Sequence, residues 1–344
     1  MSYKVTIGIP VYNAARYIAG TLQSALDQTF ESIEFLILDD CSSDDSFNIV
    51  SQVKARHPRG ADIRLLQQPR NMGIGHARNR IIDEAQGQYL FFLDSDDLLP
   101  SDAIERLYSP VISHGAQIVY GSNDRVLDYG DEKKVEHELY SPMEFLHGDD
   151  FANYAYESYG NIPANVWKYL IDINVYRMNH LRFPDINFWE DFAMTMDLPT
   201  YIERAVFLPD VTYQYFCRYG TLSNNQKRTH IDKQEIVKIA TAIGQLKENG
   251  SRIKNKPYYL KRCFKVMMTE FYMVCYVLKH RAIIHPSFSK RELRDMMRSP
   301  LAWGDVVGLD KWRLKNLALY LLGVMPPSCS VAWMMWLGKI KKLV

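Results

Sequence analysis

Between Val5 and Tyr120, short apolar runs alternate with stretches whose apolar residues return every third or fourth position. The runs Val5 to Pro10, Glu34 to Leu38, Ile63 to Leu66 and Tyr89 to Leu93 have strand length and little polar interruption, which suits strands buried on both faces. Between them, Ile18, Leu22, Ala25 and Leu26 share one helical face, and Phe47, Val50 and Val53 share a second. Ala77, Ile81 and Ala85 mark a third helix, stopped by Gly87. A fourth is expected after Pro100, with Ile104, Leu107, Tyr108 and Val111 buried, before a strand at Ile118 to Tyr120. Repeated strand, helix, strand units predict an α/β class with a mostly parallel central sheet flanked by helices and right-handed crossovers. Its functional edge lies at the strand C-termini.

Residues 121 to 165 mix Asp, Gly and Lys with Tyr154, Tyr156 and Tyr159, a pattern that predicts a long connection or lid. Phe207 to Pro209 and Val211 to Phe216 read as extended. Beyond about residue 230 the character changes: Ile236 to Leu246 and Tyr258 to Leu278 have the length and period of helices. The 344 residues are therefore divided into a domain over 1–230, with halves 1–120 and 121–230, and a helical region over 231–344. Charge marks the same division. Residues 231–344 hold 21 Lys and Arg against 8 Asp and Glu, whereas residues 1–230 hold 20 against 32, so a net charge of +1 hides an acidic part and a basic one.

The tail offers two apolar pieces, Leu317 to Met325 and Val331 to Leu337, separated by Pro326-Pro327 and followed by Lys339, Lys341 and Lys342. Neither reaches the roughly 20 residues that span a bilayer. Two readings remain for them: an interfacial helix with Trp333, Met334, Met335 and Trp336 at lipid depth and lysines on phosphates, or a helix packed on the domain or another subunit. The excess of positive charge favours the first, which places the chain at the inner face of the cell membrane as a peripheral protein. Met1 to Lys4 leads directly into a strand, so no secretory signal is expected and the location is cytoplasmic. Five scattered cysteines support neither a disulfide framework nor a zinc site. No nucleic-acid module accompanies the basic tail, so nucleic acid is not an expected partner.

The most concentrated chemistry is Tyr89-Leu-Phe-Phe-Leu-Asp-Ser-Asp-Asp97. Asp94, Asp96 and Asp97 gather at one strand end, where their repulsion would raise their pKa values unless a cation were shared. Mg2+ or Mn2+ suits such a group when a diphosphate completes the coordination, which points to a nucleotide-linked substrate. The other reading is an acidic turn in which Asp97 begins a helix cap. A dinucleotide-binding dehydrogenase is excluded because Tyr12-Asn13-Ala14-Ala15, not a Gly-rich turn, follows the first strand.

Four segments in order resemble the family 2 glycosyltransferases, inverting enzymes with a GT-A (nucleotide-diphospho-sugar transferase) fold of the kind that build bacterial cell-surface polysaccharide. They are Ile9-Pro-Val-Tyr-Asn13, Leu38-Asp-Asp-Cys-Ser-Ser-Asp44 with Cys41 where that family usually has Gly, Asn71-Met-Gly73 with Ala77-Arg-Asn79, and Asp94-Ser-Asp-Asp97 with Pro100. A looser likeness continues through Trp167-Lys168, Phe183-Pro184, Glu190-Asp191 and Tyr213 to Ser223, and fades after residue 230.

The resemblance implies a metal-dependent enzyme moving a sugar from a nucleoside diphosphate sugar, a UDP-sugar by general resemblance, to a hydroxyl of a glycan or lipid-linked acceptor. A catalytically inactive glycan- or nucleotide-binding scaffold of a membrane assembly is the alternative. Asp40, after a buried strand and before a Ser-rich loop, can accept the imide N–H of a uracil, and the resemblance also places the base-binding Asp there, in preference to Asp39. Pro10 and Tyr12 form the opposite wall of the slot. Asp94 is implied on the ribose side with Ser95 beside it, and Asp96 on the metal; Asp97 stays a third metal candidate. Arg78 either reaches phosphate or pins the acidic loop, and Arg218 either binds the diphosphate with its fork or forms a surface ion pair. Asp191, set among Phe188, Trp189 and Phe192, is the expected catalytic base, since apolar surroundings raise a carboxylate's pKa. Glu190 orients the acceptor or caps the helix, and Trp189 stacks on a sugar ring or sits in the core.

Overall fold

The computed structural model describes residues 3–130, 133–157, 160–161, 163–186, 189–218, 229–307 and 310–344. Tyr159, Phe188 and the Tyr219 to Ser223 end of the expected Tyr- and Arg-containing segment lie outside the described residues. The chain forms two compact units, Met1–Phe151 with Pro163–Gln226, and Ala152–Ile162 with Lys227–Val344.

The first unit opens with β1 (Val5–Val11), α1 (Ile18–Leu26), β2 (Ile33–Asp39), α2 (Ser46–Arg56), β3 (Ile63–Gln67), α3 (Ile74–Glu84), β4 (Tyr89–Phe92) and α4 (Ala103–His114). These match the strands and helices expected from the hydrophobic period. Then come β5 (Ile118–Asp128), β6 (Lys133–Glu138), β7 (Met143–Phe145), α5 (Asp150–Glu157), most of which belongs to the second unit, β8 (Tyr169–Asp172), α6 (Ile173–Met178), α7 (Glu190–Asp197) and β9 (Ala205–Arg218). The strands join in one nine-stranded sheet of order β3-β2-β1-β4-β8-β5-β9-β7, with β6 paired to β5. β1 to β4 are parallel and β8 runs against both neighbours, so the sheet is mixed: parallel on the side of the early strands and interrupted at β8.

The segment expected as a long connection is therefore regular for much of its length. Two causes hid it. β5 shifts register against β9 twice between Tyr120 and Asn123, which breaks the alternation, and its second half carries Asp124, Arg125 and Asp128. At the irregularity Gly121 is required by space, because a Cβ there would lie 1.9 Å from Thr212 Oγ1.

The core sits between the sheet and its helices. Ile7, Ile9, Phe35, Ile37, Phe91 and Leu93 from the strands meet Ile18, Leu22, Ala25, Ile104 and Leu107 from α1 and α4, all buried. Each large aliphatic or aromatic side chain so placed contributes roughly 1.5 to 3 kcal/mol. Among the polar groups buried beside this core is Glu34, fully buried on β2. It accepts from Thr6 Oγ1 on β1 (2.5 Å) and from the Gln86 amide (2.7 Å), and pairs with Arg64 on β3 (2.6 Å). Arg64 in turn reaches Glu84 at the end of α3 (3.0 Å). A single carboxylate thus ties three strands to the start of β4.

The second unit holds α8 (Lys233–Asn249), α9 (Tyr259–Lys279), α10 (Lys290–Met296), α11 (Trp303–Val306), α12 (Lys311–Val324) and α13 (Pro327–Ile340), with a small parallel pair, β10 (Ile231–Asp232) and β11 (Ile284–His285). α9 is its centre, with α8, α10, α12 and α13 packed around it. Buried Glu270 on α9 pairs with Lys247 on α8 at 2.5 Å. The Pro326-Pro327 break separates α12 from α13 as expected. On α13, Trp333 and Trp336 are 55% and 58% exposed, but Met334 is fully buried and Met335 half-buried. The expectation that all four lie at lipid depth is corrected by helical phase: Met334 shares a face with Gly338, whose Cβ position lies 3.1 Å from Cys275 Sγ on α9.

Replacing Glu34 with alanine leaves Thr6, the Gln86 amide and Arg64 without their shared acceptor inside the core. Glu34→Ala is expected to lower unfolding free energy by about 3 to 5 kcal/mol, read by urea denaturation. A loss under 1 kcal/mol would show that the cluster is not a structural anchor.

Candidate active site

β2, β1 and β4 are adjacent and parallel, so their C-terminal ends lie side by side, and the strand order reverses between β1 and β4. A parallel sheet opens its ligand crevice at such a reversal. The loops leaving β1 and β2 are laced together above it. Asn13, at φ 50°, donates its amide to Ser42 Oγ (3.0 Å) and accepts from the Ser43 amide (2.8 Å). Asp44 accepts from the Ala15 amide (2.9 Å) and from Ser46 Oγ (2.5 Å). Burial pushes the Asp44 carboxyl up, but these bonds outweigh it and leave the group below its ordinary value. Pro10 is buried in β1, and Tyr12 stands 51% exposed at its end.

Asp39 and Asp40 differ in how their oxygens are engaged. Both oxygens of Asp40 are occupied, Oδ1 by the Met72 amide (2.9 Å) and Oδ2 by the Gly73 amide (2.8 Å), so this side chain holds the loop before α3. The loop needs an acceptor there because Gly73, at φ 89°, turns its amides inward. Asp39 receives Gln67 Nε2 (3.0 Å) and the Ser42 amide (3.2 Å) on Oδ2 alone, and its buried Oδ1 has no hydrogen-bond partner among the described residues. The acceptor left over at this strand end belongs to Asp39.

The acidic turn after β4 is fixed by β9. Tyr213 accepts the Asp94 amide (3.1 Å) and donates to Asp97 Oδ2 (2.8 Å), while the Phe216 amide donates to Asp97 Oδ1 (2.7 Å). Asp97 is buried with both oxygens engaged and its pKa is pushed well up, by burial first and then by Asp96 and Asp94. Held in this way, Asp97 anchors the turn to β9 and does not cap a helix. Thr21 Oγ1 donates to the Ser95 carbonyl (3.0 Å) and Arg218 to the Asp96 carbonyl (2.6 Å). Arg218 also lies over the rings of Tyr17 (4.4 Å) and Phe216 (4.3 Å) and 3.9 Å from the Asp96 carboxylate, which joins β9 to the loop after β1 and makes it more than a surface ion pair. Burial, and then the charge of Asp94, push Asp96 up to about 6.

Arg78 on α3 connects this turn to the segment before α7. Its guanidinium is buried and donates to Glu190 Oε1 (2.8 Å) and Asp94 Oδ1 (3.3 Å), with the rings of Phe183 (5.5 Å) and Phe92 (5.9 Å) beside it. Arg78 therefore pins the acidic loop. Asn79, one residue on, exchanges two bonds of 2.8 Å with the Phe183 backbone, which docks that segment on α3. Trp189 begins α7 in a left-handed conformation (φ 68°) and lies half-buried, 6.3 Å from the Phe192 ring. Asp191 follows in the first turn, accepting the Phe192 amide (2.8 Å). Burial raises the pKa of both Glu190 and Asp191, against the opposing charge of Arg78, and Asp94 adds to the rise in each. His76 sits apart from this group, 3.3 Å from Asp185.

Asp191, Glu190, Arg78, Asp94, Ser95, Asp96 and Arg218 thus form one connected assembly. Tyr213 and Asp44 were absent from the sequence-based set. Asp44 carried a signal, an Asp two residues before a helix start in a Ser-rich turn; Tyr213 carried none, since only the pairing of β9 with β5 brings it under Asp94. Among the described residues no three His, Cys, Asp or Glu side chains converge as a ready-made cation site. With Asp97 taken up, the carboxylates at the turn that suit a cation are Asp94 and Asp96, the number Mg2+ or Mn2+ takes from protein when phosphate oxygens supply the rest.

Residues 6–176 match the family described as Glycosyl transferase family 2. The glycosyltransferase GlyG of Streptococcus pneumoniae is 26% identical over 239 residues, 66% of this chain and 75% of the relative. A cholesterol galactosyltransferase of Borreliella burgdorferi is 24% identical over 292 residues, 82% of this chain and 79% of the relative. Among solved structures, S. aureus TarS 1-349 in complex with UDP-GlcNAc superposes with a TM-score of 0.57 at 16% identity, covering 93% of this chain and 90% of that one, a likeness of fold. Sheet order, motif positions and family match agree: the chain belongs to glycosyl transferase family 2, as an enzyme of GT-A-like architecture.

Proposed function

We propose that this chain transfers a sugar from a UDP-sugar to a hydroxyl of a glycan or lipid-linked acceptor in surface polysaccharide synthesis, with inversion and with Asp191 as base. The family characteristically carries out metal-dependent, inverting transfer from nucleotide sugars. The observation that carries the reading is the Arg78 bridge, which brings the carboxylates of the β4 turn and the first turn of α7 to one place.

The residues divide the work as follows. Asp39 Oδ1, an acceptor without a donor at the end of β2, suits the imide N–H of uracil, with Pro10 and Tyr12 as the facing wall. Asp94 and Asp96 would hold Mg2+ or Mn2+, with Ser95 between them on the nucleotide-sugar side. A cation held there would supply positive charge to the departing diphosphate. Arg218 adds positive charge at the same turn, and Arg78 keeps Asp94 and Glu190 in place. Asp191 accepts the proton of the acceptor hydroxyl; the freed oxygen attacks the anomeric carbon from the face opposite the nucleotide, and the bond to the diphosphate breaks. Trp189 and Glu190 line the acceptor side. Burial raises the Asp191 pKa, which makes it a stronger base than an exposed aspartate.

The helical unit carries the proposed membrane contact, at the cytoplasmic face and peripheral. No helix among the described residues is long and apolar enough to cross a bilayer. Trp333, Trp336 and Ile340 form an exposed apolar stripe at i, i+3 and i+7 of α13, with Lys339, Lys341 and Lys342 beside it. A lipid-linked acceptor fits this placement, and the Borreliella relative is named for a lipid acceptor.

Transfer with a panel of UDP-sugars and Mn2+ tests the reading. Asp191→Asn is expected to lower kcat by about 10²- to 10⁴-fold with donor KM little changed, the range for loss of a general base. Parental turnover in Asp191→Asn, or no transfer or donor hydrolysis with any nucleotide sugar, would sink it. Because a protonated base cannot accept, kcat/KM is expected to fall as pH drops, with a midpoint above about 4, the ordinary aspartate value. Arg78→Lys keeps the charge but loses the two-armed geometry, so a loss on the order of 10²-fold in kcat is expected.

A further inference from the structure

The helical unit contains a pocket of about 340 Å³ that plays no part in the chemistry above. Its walls are apolar: Leu278 from α9, Ile284 from β11, Phe288, Leu293 from α10, and Val331 and Met335 from α13. Val277, Ser287 and two exposed cations, Arg281 and Lys290, complete the lining, and among the described residues no carboxylate shares it. Glu292, on the same helix as Lys290, is held by Lys233 at 2.6 Å. Among the described residues Arg281 makes no ion pair or side-chain hydrogen bond, and Lys290 donates only to Ser328 Oγ at 3.4 Å.

An apolar cavity with two uncompensated cations matches a ligand that is a hydrocarbon at one end and an anion at the other. A free phosphate would leave the apolar walls wet, and an uncharged chain would leave both cations unmatched. On α13 the pocket residues Val331 and Met335 lie on the helix face opposite the exposed Trp333, Trp336 and Ile340, so the pocket and the exposed stripe are separate features of one helix. We infer that this pocket takes one acyl chain of an anionic phospholipid, with its phosphate on Arg281 and Lys290. The inference rests on the proposed contact of this unit with a membrane surface and adds a stoichiometric lipid site to it.

Two measurements on the full chain separate the site from the surface contact. Dihexanoylphosphatidylglycerol, kept below its micelle concentration, is titrated calorimetrically; flotation with vesicles containing phosphatidylglycerol is measured in parallel. One saturable site is expected, weakened tenfold or more in Arg281→Glu/Lys290→Glu, whose substitutions are exposed and spare the core, and in Met335→Trp, which fills the cavity. Trp333→Ala/Trp336→Ala is expected to reduce flotation and leave the titration unchanged. Absence of saturable binding to the parent chain, or equal binding in the charge-reversed variant, overturns the pocket assignment even if the chain floats. Failure to float with intact monomer binding removes the membrane reading and leaves a soluble-lipid site.

Discussion

A buried guanidinium between two carboxylates is the constraint on which the site depends. Arg78 comes from α3, Asp94 from the turn after β4 and Glu190 from the first turn of α7, so one side chain sets the distance between elements far apart in the sequence. Burying an arginine is expensive unless its donors are matched, and each carboxylate would be costly without it. The arrangement is therefore stable only when all three are present together. That mutual requirement gives geometric definition to a catalytic edge otherwise made of loops, because displacing α7 would strand a charge at each end of the bridge.

The second fixed point is β9. Parallel pairing with β5 carries Tyr213, Phe216 and Arg218 under the acidic turn, where they hold the Asp94 amide, both Asp97 oxygens and the Asp96 carbonyl. Tyr213 is itself held by Trp167, stacked at 4.3 Å between ring centroids, and by Phe91 on β4. The turn is thus positioned from below by a packed aromatic layer, a firmer support than loop-to-loop hydrogen bonds because rings in a close-packed core have little room to move.

What was legible in the sequence follows from how local each signal is. β1 to β4 and α1 to α4 were readable because burial on both faces writes an apolar run and a helix writes a period, each within ten or so residues. β5 to β7 were not, since a bulge at Gly121 and polar edge positions erased the alternation. The acidic turn, Arg78 and the Glu190-Asp191 pair could be named from motif order, and the structure joins them. The division of labour inside those motifs was out of reach. Whether Asp39 or Asp40 keeps a free oxygen depends on where the Met72 and Gly73 amides point, and whether Asp97 faces a ligand depends on Tyr213, which is 116 residues away.

The three carboxylates of the turn end up with different partners, and the difference bears on the roles proposed for them. Asp94 shares its charge with Arg78, and Asp97 surrenders both oxygens to β9. Partial burial, and then the Asp94 charge close by, raise the Asp96 pKa to about 6, with Arg218 at 3.9 Å only partly offsetting them. A group in that state is the least compensated charge in the turn, and so the one that gains most from an approaching cation. An arginine placed tightly on Asp96 would have relieved the strain permanently and removed the incentive for a metal to bind. Leaving Arg218 on the carbonyl instead keeps the carboxylate available, so the turn is well formed by β9 yet electrostatically incomplete at the one oxygen pair that faces the substrate phosphates in the proposed reaction.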